Sequence, residues 1–241
     1  MALTKKIFMA VMVLAMPLLA EAQAFSKNDP IGAEQVFETT TAEGWVADRT
    51  VYRITGRQET GGRTVLTLTA NSTTKDKIDA APVESSVTLT IIYTDKSLII
   101  PKENFAAAVK SMEKEFDGHK LDVTFTGDDD VIPLQLAVGQ KLPDSEIKAD
   151  ISIEGVKAKM TIKDTNRRIS GRERLSLQTG SFDTFILEGT TTLKMSVLLL
   201  SQTEKTTDKS WIIPGMGEIK SISYDKKGKI ESTTEMISYK K

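Results

Sequence analysis

Residues 147–162 read IKADISIEGVKAKMTI, and this stretch decides the fold. Ile147, Ala149, Ile151 and Ile153 alternate with Lys148, Asp150, Ser152 and Glu154, so one face is apolar and the other charged. Beyond Gly155 the apolar set resumes at Val156, Ala158, Met160 and Ile162, with Lys157, Lys159 and Lys163 opposite. A period of two carried through a tight turn predicts an antiparallel hairpin with one buried and one wet face.

The same reading extends in both directions. Upstream, Gly44–Thr55 and Arg63–Thr73 are rich in β-branched and aromatic residues, and Glu59-Thr60-Gly61-Gly62 between them carries a hairpin signal. Ser86–Tyr93 places Val87, Leu89, Ile91 and Tyr93 on one face, and Leu98–Ile100 is a short strand ended by Pro101. Leu121, Val123 and Phe125 alternate with Asp122, Thr124 and Thr126. Between Gly127 and Ser145 the pattern breaks, which predicts a long connection or a division between two sheets. Downstream, Asn166–Leu177 is polar, and Gln178-Thr179-Gly180-Ser181 turns the chain. Phe182–Glu188 and Thr192–Leu200 are predicted to pair around Gly189, with Val197–Leu200 covered on both faces. A last hairpin runs from Ile219–Tyr224 through Lys227-Gly228 to the chain's end.

About eleven strands at short turn spacings predict a mainly β fold: an antiparallel meander forming a strongly curved sheet, a half-barrel or incomplete barrel. One helix is expected, over about Lys102 to Phe116. Phe105, Val109, Met112 and Phe116 there share one stripe, Pro101 suits the start and Gly118 the exit. Packing of that stripe on the sheet accounts for it, because the opposite face mixes Lys and Glu.

The chain opens as an export leader does. Lys5 and Lys6 precede an uncharged run from Ile7 to Leu19, and Ala20-Glu21-Ala22-Gln23-Ala24 offers two A-x-A cleavage sites. The run is shorter than the roughly 20 residues a spanning helix needs, and no later run approaches that length. Expected are a signal peptide at 1–24 and a single β-rich domain at 25–241, with a subdivision point near 127–145. Phe25–Asp29 reads as a polar lead-in, and Pro30-Ile31-Gly32 as the start of the folded body. Periplasm, outer membrane or the extracellular space is the destination. With no cysteine among 241 residues, a lipoprotein anchor and disulfides are not expected. The 32 Lys and Arg nearly balance 33 Asp and Glu, for a formal net charge of −1, which leaves no electrostatic footprint for nucleic acid.

Several short patterns in the second half occur in a recognisable order: Gly139-x-x-Leu142-Pro143-Asp144, Asn166-Arg167-Arg168 with Glu173, Gly180-Ser181-Phe182, and Trp211-x-x-Pro214-Gly215-x-Gly217 followed by Lys220. Together they resemble the TapB-like family of exported proteins of Bacteroidetes-type bacteria, over residues 127–239. The resemblance implies a curved antiparallel sheet of half-barrel type in the cell envelope, in which Asn166, Glu173, Gly180, Phe182, Pro214, Gly215 and Gly217 serve the architecture. It brings no catalytic residues.

The residues themselves offer little chemistry. His119 is the one histidine and follows the helix-ending Gly118, where a solvated turn residue is the ordinary reading. Asp128-Asp129-Asp130 lack the spaced ligands of a calcium loop and read as a solvated acidic turn. Glu173, beside Arg172 and Arg174, fits a cross-strand ion pair better than half of a glycosidase carboxylate pair. Trp45 and Trp211 are the two candidate ligand-binding residues, able to stack on a sugar or line an apolar site. For Trp211, packing against the Pro-Gly-x-Gly turn competes with that role, and two glycines there predict positive φ. No metal and no cofactor are expected. The reading is an exported envelope protein that binds an apolar or glycan ligand on the concave face of its sheet. The alternative is a structural or assembly factor with an envelope protein partner, and an envelope hydrolase comes third.

Overall fold

Thirteen strands join in one antiparallel sheet, in the order β6-β8-β9-β10-β11-β12-β13-β1-β2-β3-β4-β5-β7. They are β1 (Glu34–Thr41), β2 (Val46–Thr60), β3 (Arg63–Thr74), β4 (Val83–Tyr93), β5 (Ser97–Ile100), β6 (Leu121–Gly127), β7 (Asp130–Pro133), β8 (Ser145–Ile153), β9 (Val156–Leu177), β10 (Gly180–Val197), β11 (Leu200–Ile213), β12 (Gly217–Tyr224) and β13 (Ile230–Lys240). Among the described residues one helix, α1 (Glu103–Ser111), lies between β5 and β6 in the chain. The computed structural model describes residues 24–111, 121–153, 155–198 and 200–241. The leader up to Gln23, the helix's expected end at Met112 and Phe116, and His119 lie outside the described residues.

The topology itself requires strong curvature. The two edge strands, β6 and β7, stand at opposite ends of the strand order yet are joined only by Asp128 and Asp129. Three peptide steps span no more than about 11 Å, so the sheet must roll until its edges converge at that point. β6 and β7 do not pair, and the sheet is not closed. Gly127 makes the crossing possible. Its φ is +128°, and a Cβ there would stand 2.0 Å from the carbonyl oxygen of Glu146, so a side chain is excluded sterically and conformationally. Further along, the segment after β7 reaches the edge of β9. The N–H groups of Gly139 and Leu142 donate to the carbonyls of Ile169 and Arg167 at 2.8 and 3.0 Å. At the other edge, the Asn104 amide of α1 pairs with both backbone groups of Thr90 in β4, at 2.8 and 2.7 Å. That contact completes an edge which would otherwise present unpaired polar groups.

Strand alternation places two apolar clusters on the concave face. The larger gathers Phe37, Tyr52, Ile54, Leu66, Leu68, Leu89, Ile91, Leu98, Ile132, Ile169, Leu187, Ile212, Ile219 and Met236. The smaller combines Ala149, Ile151, Ala158, Met160, Ile162, Leu193, Met195 and Val197 with Phe105 and Val109 of α1. Ile151 is 2% exposed, as the alternation in 147–162 predicts. The hairpin pairs Ile147 with Ile162 and Ile151 with Ala158.

The polar segment Asn166–Leu177 is the second half of β9, and three expectations need correction. A bulge puts Asn166 and Arg167 opposite the single residue Gly189, and Asn166 has the left-handed φ of 57° that such a bulge demands. Gly189 therefore does not turn the chain, because β10 runs unbroken from Gly180 to Val197. Val197 and Leu200 do not share one doubly covered strand: Val197 ends β10, Leu200 opens β11, and Leu198 and Leu200 are 69% and 59% exposed. The polar lead-in is also wrong at its start, since Phe25 is fully buried in the larger cluster.

Candidate functional site

Between the two apolar clusters the concave face turns polar, and the change can be followed strand by strand. Inward positions on β10 run Phe185, Leu187, Gly189, Thr191, Leu193, and those on β9 run Ile169, Arg167, Asp164, Ile162. On β2 they pass from Ile54 and Tyr52 to Thr50 and Asp48, and on β3 from Leu68 and Ala70 to Ser72 and Thr74. On β11 Ile212 gives way to Ser210 and Asp208, on β12 Ile219 to Ser221 and Ser223, and on β13 Met236 to Thr234. The result is a band of hydroxyls and carboxylates running across consecutive strands. It faces the end of the sheet that carries the β1–β2, β3–β4 and β12–β13 connections, which we call the mouth.

The band is built as a chain of hydrogen bonds. Asp48 accepts from Thr50 at 2.8 Å and from Thr74 at 3.1 Å, and the Thr50 and Ser72 hydroxyls lie 2.6 Å apart. Thr39 and Thr234 bridge β1 and β13 at 2.9 Å. Asp208 accepts from Ser223 at 2.6 Å and from Thr206 at 3.2 Å. Asp164 accepts from Thr191 at 2.7 Å and from Ser145 at 3.4 Å. At the seam, Asp130 of β7 meets the buried Arg167 of β9 at 2.5 Å. A cavity of about 510 Å³ opens over this ion pair, with Lys102, Asp128, Asp129 and Ser145 among its walls.

These carboxylates are held at an electrostatic cost. Burial pushes Asp48 and Asp164 above the ordinary carboxylate range, and their hydroxyl donors offset only part of that. Glu218 moves furthest, to about 7, because burial dominates, with Asp208 and Asp130 adding repulsion against the help of Ser210 and Ser221. One of its oxygens, Oε1, has no hydrogen-bond partner. The Tyr52 phenol is pushed up as well, first by burial and then by Asp48 and Glu218.

The residues singled out in the sequence fall in different places. Trp45 is half-buried at the β1–β2 turn, at the mouth end of the sheet. Trp211 faces the other side of the sheet, opposite Ser210 and Ile212. It is 5% exposed, and its indole N–H donates to Glu173. Lys209 and Lys220 lie over its ring at 4.5 and 5.4 Å, and Lys220 pairs with Glu235 at 2.6 Å. Glu173 thus takes an indole rather than a neighbouring guanidinium, and Arg172 instead lies 4.7 Å over the Phe185 ring. Pro214, Gly215 and Gly217 form the β11–β12 turn at the far end from the mouth, and the two glycines have φ of +73° and +117°. Gly180 opens β10 with φ +134°, and half-buried Phe182 follows it.

At Asp128 and Asp129, both exposed, the aspartate triplet is the solvated turn expected, but Asp130 is withdrawn against Arg167, and each of the three has a separate partner. Asp128 accepts from the N–H of Glu146 at 3.2 Å, Asp129 from the N–H of Lys102 at 3.1 Å, and Asp130 holds Arg167. Together they fasten the crossing to β8, to the entry of α1 and to β9. The polar band itself was missed because its members are ordinary Ser, Thr and Asp residues scattered over nine strands. Their sequence signal is a loss of inward apolar residues towards one end of β2, β3, β12 and β13, and an interruption of them within β9 and β10.

Comparison with known proteins agrees with this architecture. The model of the DUF3108-like family matches residues 31–236, and the chain belongs to that family. That match covers both halves of the chain, and it names the DUF3108-like family rather than the TapB-like one. A crystal structure from Bacteroides fragilis, described as an exported protein with a YmcC-like fold, superposes with a TM-score of 0.66 at 16% identity, over 91% of this chain and 100% of that one. A second, from Parabacteroides distasonis and described as a lipoprotein, gives 0.64 at 12% identity, over 91% of this chain and again all of the other. No curated protein matches the chain.

Proposed function

We propose that this member of the DUF3108-like family is an exported, non-enzymatic protein of the bacterial envelope, on its TapB-like branch, that holds a hydroxyl-rich, glycan-type ligand in the polar mouth of its concave face. Export is supported by the leader pattern and by the descriptions of the two structural relatives. The observation that carries the ligand reading is the inward band in which Asp164, Asp208, Ser72, Thr74, Thr191 and Ser223 are half-buried rather than sealed, with Asp48 and Thr50 buried beneath them. An apolar ligand lying across that band would strip water from carboxylates and hydroxyls without replacing their hydrogen bonds, at a cost of several kcal/mol. Sugar hydroxyls donate to carboxylates and accept from hydroxyls, so they satisfy both. Trp45 at the rim supplies the apolar face on which a sugar ring stacks. Glu218, whose pKa resembles that of a catalytic acid, is 5% exposed behind Ser210 and Ser221, out of reach of a ligand in the mouth.

The test is recovery of the protein from its native envelope under mild conditions, followed by mass spectrometry of what it carries, for the wild type and for Asp208→Ala. A saccharide retained by the wild type and depleted at least about tenfold in the variant is expected, as loss of a charge-assisted hydrogen bond implies. An acyl chain retained equally by both would overturn the polar reading. A stoichiometric protein partner with no small molecule would favour the assembly role instead.

A further inference from the structure

The leader offers two A-x-A sites, one after Ala22 and one after Ala24, and sequence alone does not choose between them. The fold does. Gln35 of β1 is fully buried and grips Ala24 by both backbone groups. Its Oε1 accepts from the Ala24 N–H at 3.2 Å, and its Nε2 donates to the Ala24 carbonyl at 2.6 Å. The amide thus treats Ala24 as a neighbouring strand would. The next residue, Phe25, is buried in the larger apolar cluster, and its carbonyl accepts from the Tyr93 hydroxyl of β4. The Ser26 N–H donates to Asp29 at 2.7 Å. Asp29, 1% exposed, in turn accepts from Tyr239 of β13 at 2.5 Å and pairs with Lys241 at 3.3 Å. Residues 24–29 therefore tie β1, β4 and β13 together at the end of the sheet opposite the mouth.

A cut after Ala24 would remove both partners of the buried Gln35 amide. It would also turn the Phe25 nitrogen into an α-ammonium, largely charged at neutral pH, at the edge of an apolar cluster. A cut after Ala22 preserves every one of these contacts and leaves the new charge at Gln23, one residue outside the Gln35 clamp. We infer that export processing hydrolyses the Ala22–Gln23 peptide bond, so that the mature chain begins Gln23-Ala24-Phe25. One water is consumed, giving the Ala22 carboxylate on the leader and the Gln23 ammonium on the mature protein. A membrane-bound signal peptidase is the catalyst implied. The inference rests on the export reading above.

Intact-mass measurement of the full-length gene product, recovered from the envelope fraction of an exporting bacterial host, tests both at once. A mature chain starting at Gln23 is expected. A start at Phe25 would overturn the inference and leave export standing, whereas retention of Met1 would remove export itself. A second measurement asks whether the clamp matters. Proteins starting at Gln23 and at Phe25, each with and without Gln35→Ala, are unfolded in urea. The Gln23 form should show the higher midpoint, and Gln35→Ala should lower it more in that form than in the Phe25 form. Equal midpoints for the two starts would refute the structural argument whatever the cleavage site.

Discussion

Glu218→Gln should flatten the pH dependence of stability. Glu218 is neutral in the folded protein up to about pH 7, against an ordinary value of 4.5. Between those two values the folded state holds a proton that the unfolded chain has released. Stability that is fully present below pH 4.5 is therefore lost as pH rises through 7. At about 1.4 kcal/mol per pH unit, the gap amounts to about 3 kcal/mol by pH 8. Glutamine has nearly the shape of the neutral acid and keeps a donor for Ser210 or Ser221 but cannot ionise. The variant should match the wild type at pH 4.5 and exceed it by about 3 kcal/mol at pH 8. Urea melts at half-unit pH steps would read this directly. Asp48 and Asp164 are raised in the same direction, so both proteins should keep some downward slope, and the difference between them isolates Glu218. Parallel pH profiles for the two proteins would refute the argument, since they would mean that Glu218 is hydrated and ionised in the folded state.

Three further perturbations test the architecture. Ile151→Lys, on the inward face of β8, should cost several kcal/mol, whereas Ser152→Lys beside it should change stability by less than about 0.5 kcal/mol in the same denaturant assay. Trp211→Ala should cost about 3–5 kcal/mol in urea melts, because it removes a buried ring and leaves Glu173 without its indole donor. Arg167→Ala should cost about 3–5 kcal/mol by stranding Asp130 at the seam, and the double variant Arg167→Met with Asp130→Leu should recover most of that in thermal melts.

The sequence discloses this fold where burial is one-sided and hides it where polarity is functional or interior. In 147–162 every inward residue is apolar and every outward one polar or charged, so the period of two is unbroken and the hairpin is legible. β1 reads EQVFETTT, and its inward residues are Gln35, Phe37 and Thr39. Gln35 clamps Ala24, Phe37 enters the core, and Thr39 joins the polar band, so no alternation of hydropathy survives to mark a strand. β9 fails in the same way beyond Thr165. The bulge at Asn166 shifts the inward set by one residue, and Arg167 then occupies an inward position where Asp130, 37 residues earlier in the chain, and the Pro143 carbonyl receive its guanidinium. Asp128-Asp129-Asp130 show the general difficulty most clearly. A local reading sees three like charges that should seek water, yet their partners are a β8 amide, a helix-entry amide and a buried arginine, which only the crossing between the sheet's two edges brings within reach. The polar band arises from the same cause. Its Thr and Ser residues suit an exposed strand face as well as an interior one, and only the register tells which face they take. What makes the concave mouth a candidate site is therefore the feature that erased it from the sequence: inward positions filled by residues that ordinarily point outward.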